Sequence, residues 1–165
     1  MITAHTLEIP HTTMSAHSNV RAEFLDFRDK SHGDITIAEV SSSIAAGRFV
    51  WIDTNLQDQT YSDLKQELPE RLAKQPPVQN ILSSEYQKNI DDQVSSLHRT
   101  DDTLHIRLAG ARDSSETILS EVLDIVISEG LLATFSNGSN SVLQAVRRDY
   151  IRDFEQHAAT PSFLL

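Results

Sequence analysis

The stretch Glu121-Val122-Leu123-Asp124-Ile125-Val126-Ile127-Ser128-Glu129-Gly130-Leu131-Leu132-Ala133-Thr134-Phe135-Ser136 decides the fold. Its first limb begins at Thr117 and is dense in Ile and Val. Such β-branched side chains fit a pleated surface and lose rotamer freedom on a helix, so Thr117 to Ser128 reads as a strand. Glu129-Gly130 is a tight turn, and Leu131 to Ser136 is the return strand. A hairpin requires an antiparallel pair. Upstream, Leu104, Ile106 and Leu108 alternate with Thr103, His105 and Arg107, which predicts a strand over 103–109 with one wet face. Gly110 to Ser115 reads as a turn. Phe49-Val50-Trp51-Ile52-Asp53 is a short continuous apolar run, the pattern of a strand buried on both faces. Val20 to Arg28 mixes β-branched, aromatic and charged residues and reads as a further strand.

Helical signals fall between these segments. Asp34 or Thr36 caps a short helix in the stretch carrying Ile35, Ile37, Val40 and Ile44, and Gly47 ends it. Leu64 and Leu68 share a helical face, but Pro69 lacks an N–H and interrupts the turn, so two short helices are expected at 61–67 and 69–75. Pro76-Pro77 stops the second, and Val78 to Ser83 adds another turn. Residues 84–102 are polar and read as a loop or weak helix. Leu143, Val146, Tyr150 and Phe154 form an amphipathic stripe over 142–156. The surrounding Arg147-Arg148-Asp149 and Arg152-Asp153 charges are expected on its outer side. No regular strand–helix alternation is present. Together these elements imply an α/β architecture, a mixed β-sheet covered by helices.

Composition narrows the function. The chain has 165 residues, 14 Lys and Arg against 24 Asp and Glu, and hence a formal charge of −10. That length fits one domain. Residues 1–19, with His5, His11 and His17, read as a flexible arm; residues 20–160 form the domain. Cysteine is absent, which removes disulfides, thiolate metal sites and a thiol nucleophile together. No apolar run approaches the roughly 20 residues of a membrane helix. Nucleic acid is not an expected partner, because its footprint is a basic stripe.

Nothing marks an enzyme. The five glycines are too dispersed for a dinucleotide or Walker loop, and no G-x-S-x-G elbow exists. Two acidic pairs, Asp91-Asp92 and Asp101-Asp102, offer the oxygen ligands that a hard divalent cation prefers. Asp124 is expected to point away from Leu123 and Ile125, onto an edge, toward a neighbouring subunit, or simply onto a polar strand face. His98 and His105 lie either side of an expected loop and read as an accidental pair. Trp51 reads as a core anchor. A dispersed Ser–His–acid site of a small hydrolase is a weaker alternative.

The order of segments resembles the N-terminal cytoplasmic domain of CorA-type magnesium transporters and their zinc-transporting relatives. The run Phe49-Val50-Trp51-Ile52-Asp53 stands where that family has its W-I-D/N strand. Leu131-Leu132-Ala133-Thr134-Phe135 follows an acidic strand, a helix carries Val146, Arg147 and Arg148, and Thr160-Pro161-Ser162-Phe163-Leu164-Leu165 closes the series. The likeness covers most of residues 35–165. It implies an α/β/α sandwich on the cytoplasmic side of the cell inner membrane, with residues 161–165 opening a stalk helix. The resemblance further implies a homopentamer attached to its own membrane domain, with magnesium as a regulatory ion and no cofactor required. A fragment of this kind conducts no ions. Val78-Gln79-Asn80-Ile81-Leu82 stands where some members place a cation-binding carboxylate; Asn80 offers a carbonyl oxygen instead, with less attraction for a dication. The alternative is a stand-alone acidic interaction module with the same fold.

Overall fold

The computed structural model describes residues 19–57, 61–114, 117–138 and 140–156. Residues 1–18 of the arm expected at 1–19, and the expected stalk start at 161–165, lie outside them. Seven strands form one sheet: β1 (Val20–Asp26), β2 (Ser31–Ile35), β3 (Phe49–Asn55), β4 (Ser96–Arg99), β5 (Thr103–Ser114), β6 (Thr117–Ser128) and β7 (Leu131–Ser136). Their order across the sheet is β2-β1-β3-β7-β6-β5-β4. β3 and β7 run parallel, and every other neighbouring pair is antiparallel. The sheet is therefore mixed, as the hairpin and the buried apolar run required.

Helices flank it on both faces. On one side lie α1 (Val40–Ala45), α2 (Tyr61–Glu67), α3 (Glu70–Ala73), α4 (Pro76–Ile81) and α5 (Ser84–Lys88). Leu64, Leu72, Val78 and Ile81 from this layer are fully buried against Val50, Ile52, Val126 and Phe135 of the sheet. Each such side chain contributes about 1.5–3 kcal/mol relative to exposure. On the other side α6 (Ser141–Gln156) buries Leu143, Tyr150 and Phe154 against Leu25, Phe49, Trp51 and Leu132. Trp51 is the packed anchor its neighbours suggested.

Local chemistry explains the boundaries. The backbone N–H of Thr36 donates to the Glu39 carboxylate at 2.8 Å, starting a 3-10 turn that runs into α1. Gly47 then adopts φ +79°, a left-handed conformation that costs glycine nothing. Pro69 stands between α2 and α3 as expected. Pro76-Pro77 ends one helix and opens the next, because proline at the first two positions forgoes only N–H groups that lack a helical partner anyway.

Four sequence expectations are corrected. β2 occupies Ser31–Ile35, a short edge strand paired with β1 that the sequence reading did not foresee; it rules out Asp34 as the helix cap and leaves Thr36, the other expected cap, in that place. β5 runs through Gly110 to Ser114, so the turn lies later in the chain than Gly110. Residues 84–102 hold α5, a 3-10 turn and strand β4. Polar side chains hide β4 from a hydrophobicity reading: it is a wet edge strand of four residues, of the kind that resists edge-to-edge association. Arg147 lies inward rather than on the outer side of α6.

Candidate functional site

The expected oxygen ligands are spread over the surface. Asn80 is exposed on α4. Asp91 and Asp92 belong to the 3-10 turn after α5, and Asp92 is exposed. Asp101 and Asp102 are exposed in the turn between β4 and β5, where the hydroxyls of Thr100 and Thr103 each lie 3.4 Å from Asp102 Oδ1. Among the described residues no group of three or more His, Asp and Glu is placed to hold a metal ion. Any cation on the acidic pairs would therefore need ligands from elsewhere.

The densest polar cluster lies where β5 and β6 meet α5. Asp124 is completely buried. Its Oδ1 accepts from Arg107 Nε at 2.9 Å and lies 2.7 Å from His105 Nε2; its Oδ2 accepts from the Tyr86 hydroxyl. Arg107 Nη1 donates to Gln93 Oε1 at 2.6 Å, and its guanidinium stacks over the Tyr86 ring at 4.7 Å. Burial, reinforced by the neighbouring carboxylate, pushes the Tyr86 phenol up. A buried carboxylate is tolerated only when paired and hydrogen-bonded, and one arginine plus two donors meet that need. This corrects the sequence reading of Asp124: it faces the helical layer, not an edge or another subunit. Strand alternation gave its face correctly but could not show which face was covered.

A second cluster ties α6 to the centre of the sheet. Trp51 Nε1 donates to Thr134 Oγ1 at 3.1 Å, and Thr134 donates to Asp53 Oδ1 at 2.6 Å. Arg147 pairs with Asp53 Oδ2 at 2.9 Å and covers the Trp51 ring at 5.2 Å. Arg147 follows Leu143 by four residues and precedes Tyr150 by three, so it borders the apolar stripe. That position, together with Asp53, turns it inward. Arg148–Asp149 and Arg152–Asp153 are the exposed pairs expected.

Beside this cluster runs an apolar groove of about 470 Å³. Leu104, Ile106, Leu108, Ile125, Val142 and Val146 line it, with Trp51 and Thr134 at its floor. Leu108 is 44% exposed and Val142 51%. The groove's walls are almost entirely carbon, and among the described residues no titratable side chain lines it.

No family model matches the chain, and no curated protein sequence matches it. Among solved structures it is similar to the soluble domain of CorA from Methanocaldococcus jannaschii, at TM-score 0.53 and 13% identity, over 84% of this chain and 48% of that one. It is similar at the same TM-score and 14% identity to the ZntB cytoplasmic domain from Vibrio parahaemolyticus RIMD 2210633, over 84% of this chain and 52% of that one. The chain has the CorA soluble-domain fold. It spans about half the length of the solved chains it matches. The resemblance read from the order of sequence segments thus holds at the level of fold.

Within this CorA-type fold, the structure brings together residues that sequence reasoning left apart. Tyr86, Gln93, His105, Arg107 and Asp124 come from four segments spread over 39 positions. The available signal was the strand pairing: Arg107 lies opposite Asp124 and His105 opposite Val126, which puts both basic side chains on the face of Asp124. No serine hydroxyl among the described residues bonds to His105, so its pairing with Asp124 does not extend to a nucleophile.

Proposed function

We propose that this chain is the soluble, non-catalytic regulatory domain of a CorA-like divalent metal cation transporter, held on the cytoplasmic side of the membrane. One observation carries the reading: the seven-stranded mixed sheet with its helical layers is the fold of the CorA and ZntB soluble domains. Among the described residues no helix is long and apolar enough to cross a membrane. In this reading ion passage belongs to a separate membrane domain of the transporter. The domain acts as part of a homopentamer. Regulation works by population shift: magnesium bound between the acidic surfaces of adjacent copies, at Asp101-Asp102, Asp91-Asp92 and the carbonyl of Asn80, favours the closed arrangement because it binds that arrangement more tightly. Flux of cations into proteoliposomes holding the complete transporter tests this. Internal magnesium inhibits the wild type. Asp101→Asn/Asp102→Asn raises the magnesium concentration needed; inhibition that is unchanged in that variant, or absent in the wild type, defeats the reading.

The apolar groove favours a second reading, an acidic interaction module with the same fold. Exposed, contiguous apolar surface rimmed by polar residues marks contact sites in soluble proteins.

A further inference from the structure

β5 and β6 have 12 residues each and outrun their neighbours. β7 pairs with residues 123–128 of β6, and β4 with residues 104–107 of β5. Residues 108–114 and 117–122 pair only with each other among the described strands. The Ser95 hydroxyl and the Asn137 amide hold the base of this extension, at Ala109, Ser120 and Val122. From Gly110 onward a two-stranded arm runs on for about 16 Å, at roughly 3.3 Å per residue. A two-stranded ribbon alone is marginal in water.

We propose that this arm docks in the apolar groove of a second copy of the chain. Three observations carry the assignment. The first is Gly110. Its backbone is not left-handed, and a Cβ there would meet no heavy atom within 4 Å. Neither conformation nor packing within the chain calls for glycine. A glycine inside a strand then marks the close approach of another backbone. Gly110 is exposed, and it lines a recess that shares Leu108, Leu123 and Val142 with the groove.

The second is the chemical match. The groove is uncharged among the described residues, and Leu97, opposite Ile106, extends its apolar surface to the sheet edge. The arm brings Ile118 and Leu119 on one strand and the small Ala109, Gly110 and Ala111 on the other. A slim ribbon with apolar residues suits such a cleft.

The third is direction. The arm continues the very strands that carry Leu104, Ile106, Leu108, Leu123 and Ile125 along the groove. It leads away from its own groove along the strand axis, so a copy cannot fill its own. Arm and groove are different surfaces, which makes the contact heterologous and joins copies head to tail. Copies carrying −10 each repel one another, while the contact itself is apolar. Salt screens that repulsion, so association strengthens as salt rises and a dilute chain keeps its groove open. Magnesium and a membrane domain take no part. The contact therefore stands or falls separately from the transport reading.

Sedimentation velocity of the full chain over a concentration series tests it. The wild type should self-associate, and more so at high salt. Replacing residues 112–119 by an Asn-Gly turn joins the cross-strand partners Ala111 and Ser120 and removes the arm. Leu108→Glu/Val142→Glu blocks the groove. Each variant alone should be monomeric. Their equimolar mixture should form a one-to-one complex, the arm of one in the groove of the other. Gly110→Val adds a side chain suited to strands. It should keep the denaturation midpoint at or above that of the wild type yet weaken association about tenfold, by blocking the close approach. A wild type that stays monomeric overturns the proposal and leaves the groove to a different partner. Association that survives loss of the arm, that weakens with salt, or that is not restored in the mixture overturns it as well.

Discussion

Asp124 accepts from an arginine, a tyrosine and a histidine drawn from two different elements, β5 and α5. Tyr150 repeats the motif on the other face of the sheet, donating to the buried carboxylate of Glu23, which Arg21 also pairs at 2.5 Å. In both cases burial comes first and the adjacent carboxylate second in pushing the phenol pKa up. The consequence for stability has a definite sign. An unfolded tyrosine ionises near pH 10, but the folded Tyr86 and Tyr150 keep their protons beyond it. Above that pH the native state binds more protons than the unfolded state, so stability falls as pH rises. Urea unfolding from about pH 8 to pH 11 should show this decline, and it should be shallower in Tyr86→Phe than in the wild type. An unchanged slope in that variant would mean the phenol titrates alike in both states.

At the scale of elements, the β6–β7 hairpin organises the rest. Gly130 takes φ +70°, and a Cβ there would stand 3.0 Å from Ile44 Cγ2. The turn thus brings the hairpin tip against α1. Gly130→Ala should cost about 1–2 kcal/mol from the left-handed backbone, with the crowding of Ile44 added. A denaturation midpoint within error of the wild type would contradict that assignment. The hairpin was legible because its period and its glycine agree. β4 was not legible. Ser96, Leu97, His98 and Arg99 carry little apolar signal, and only pairing with β5 makes them a strand. Leu97 is 65% exposed, so even its one large apolar residue does not report on burial.

For the molecule as a whole, the two sheet faces are unequally covered. Five helices lie on one face, whereas α6 crosses the other and leaves Leu104, Ile106 and Leu108 along an open groove. This explains why Val146, part of the apolar stripe of α6, is 37% exposed while Leu143 and Phe154 are buried. A native chain with such a face should bind a hydrophobic dye such as ANS without being unfolded. Leu108→Glu/Val142→Glu should reduce that fluorescence while shifting stability by no more than about 0.5 kcal/mol, since both positions are exposed. Dye binding that is equal in the variant would place the apolar surface elsewhere.

The sequence by itself determined the α/β class, the mixed sheet, the hairpin and the long amphipathic helix. Those follow from side-chain periodicity, glycine and proline, which act over a few neighbouring residues. It also gave the oxygen-rich pairs Asp91-Asp92 and Asp101-Asp102, but not any convergence between them. Only the tertiary structure decided that Asp124 is buried, that Arg147 turns inward and that His98 faces His105. Each of these depends on strand register or on which sheet face a helix covers. Register joins residues distant in sequence, so no local pattern carries it.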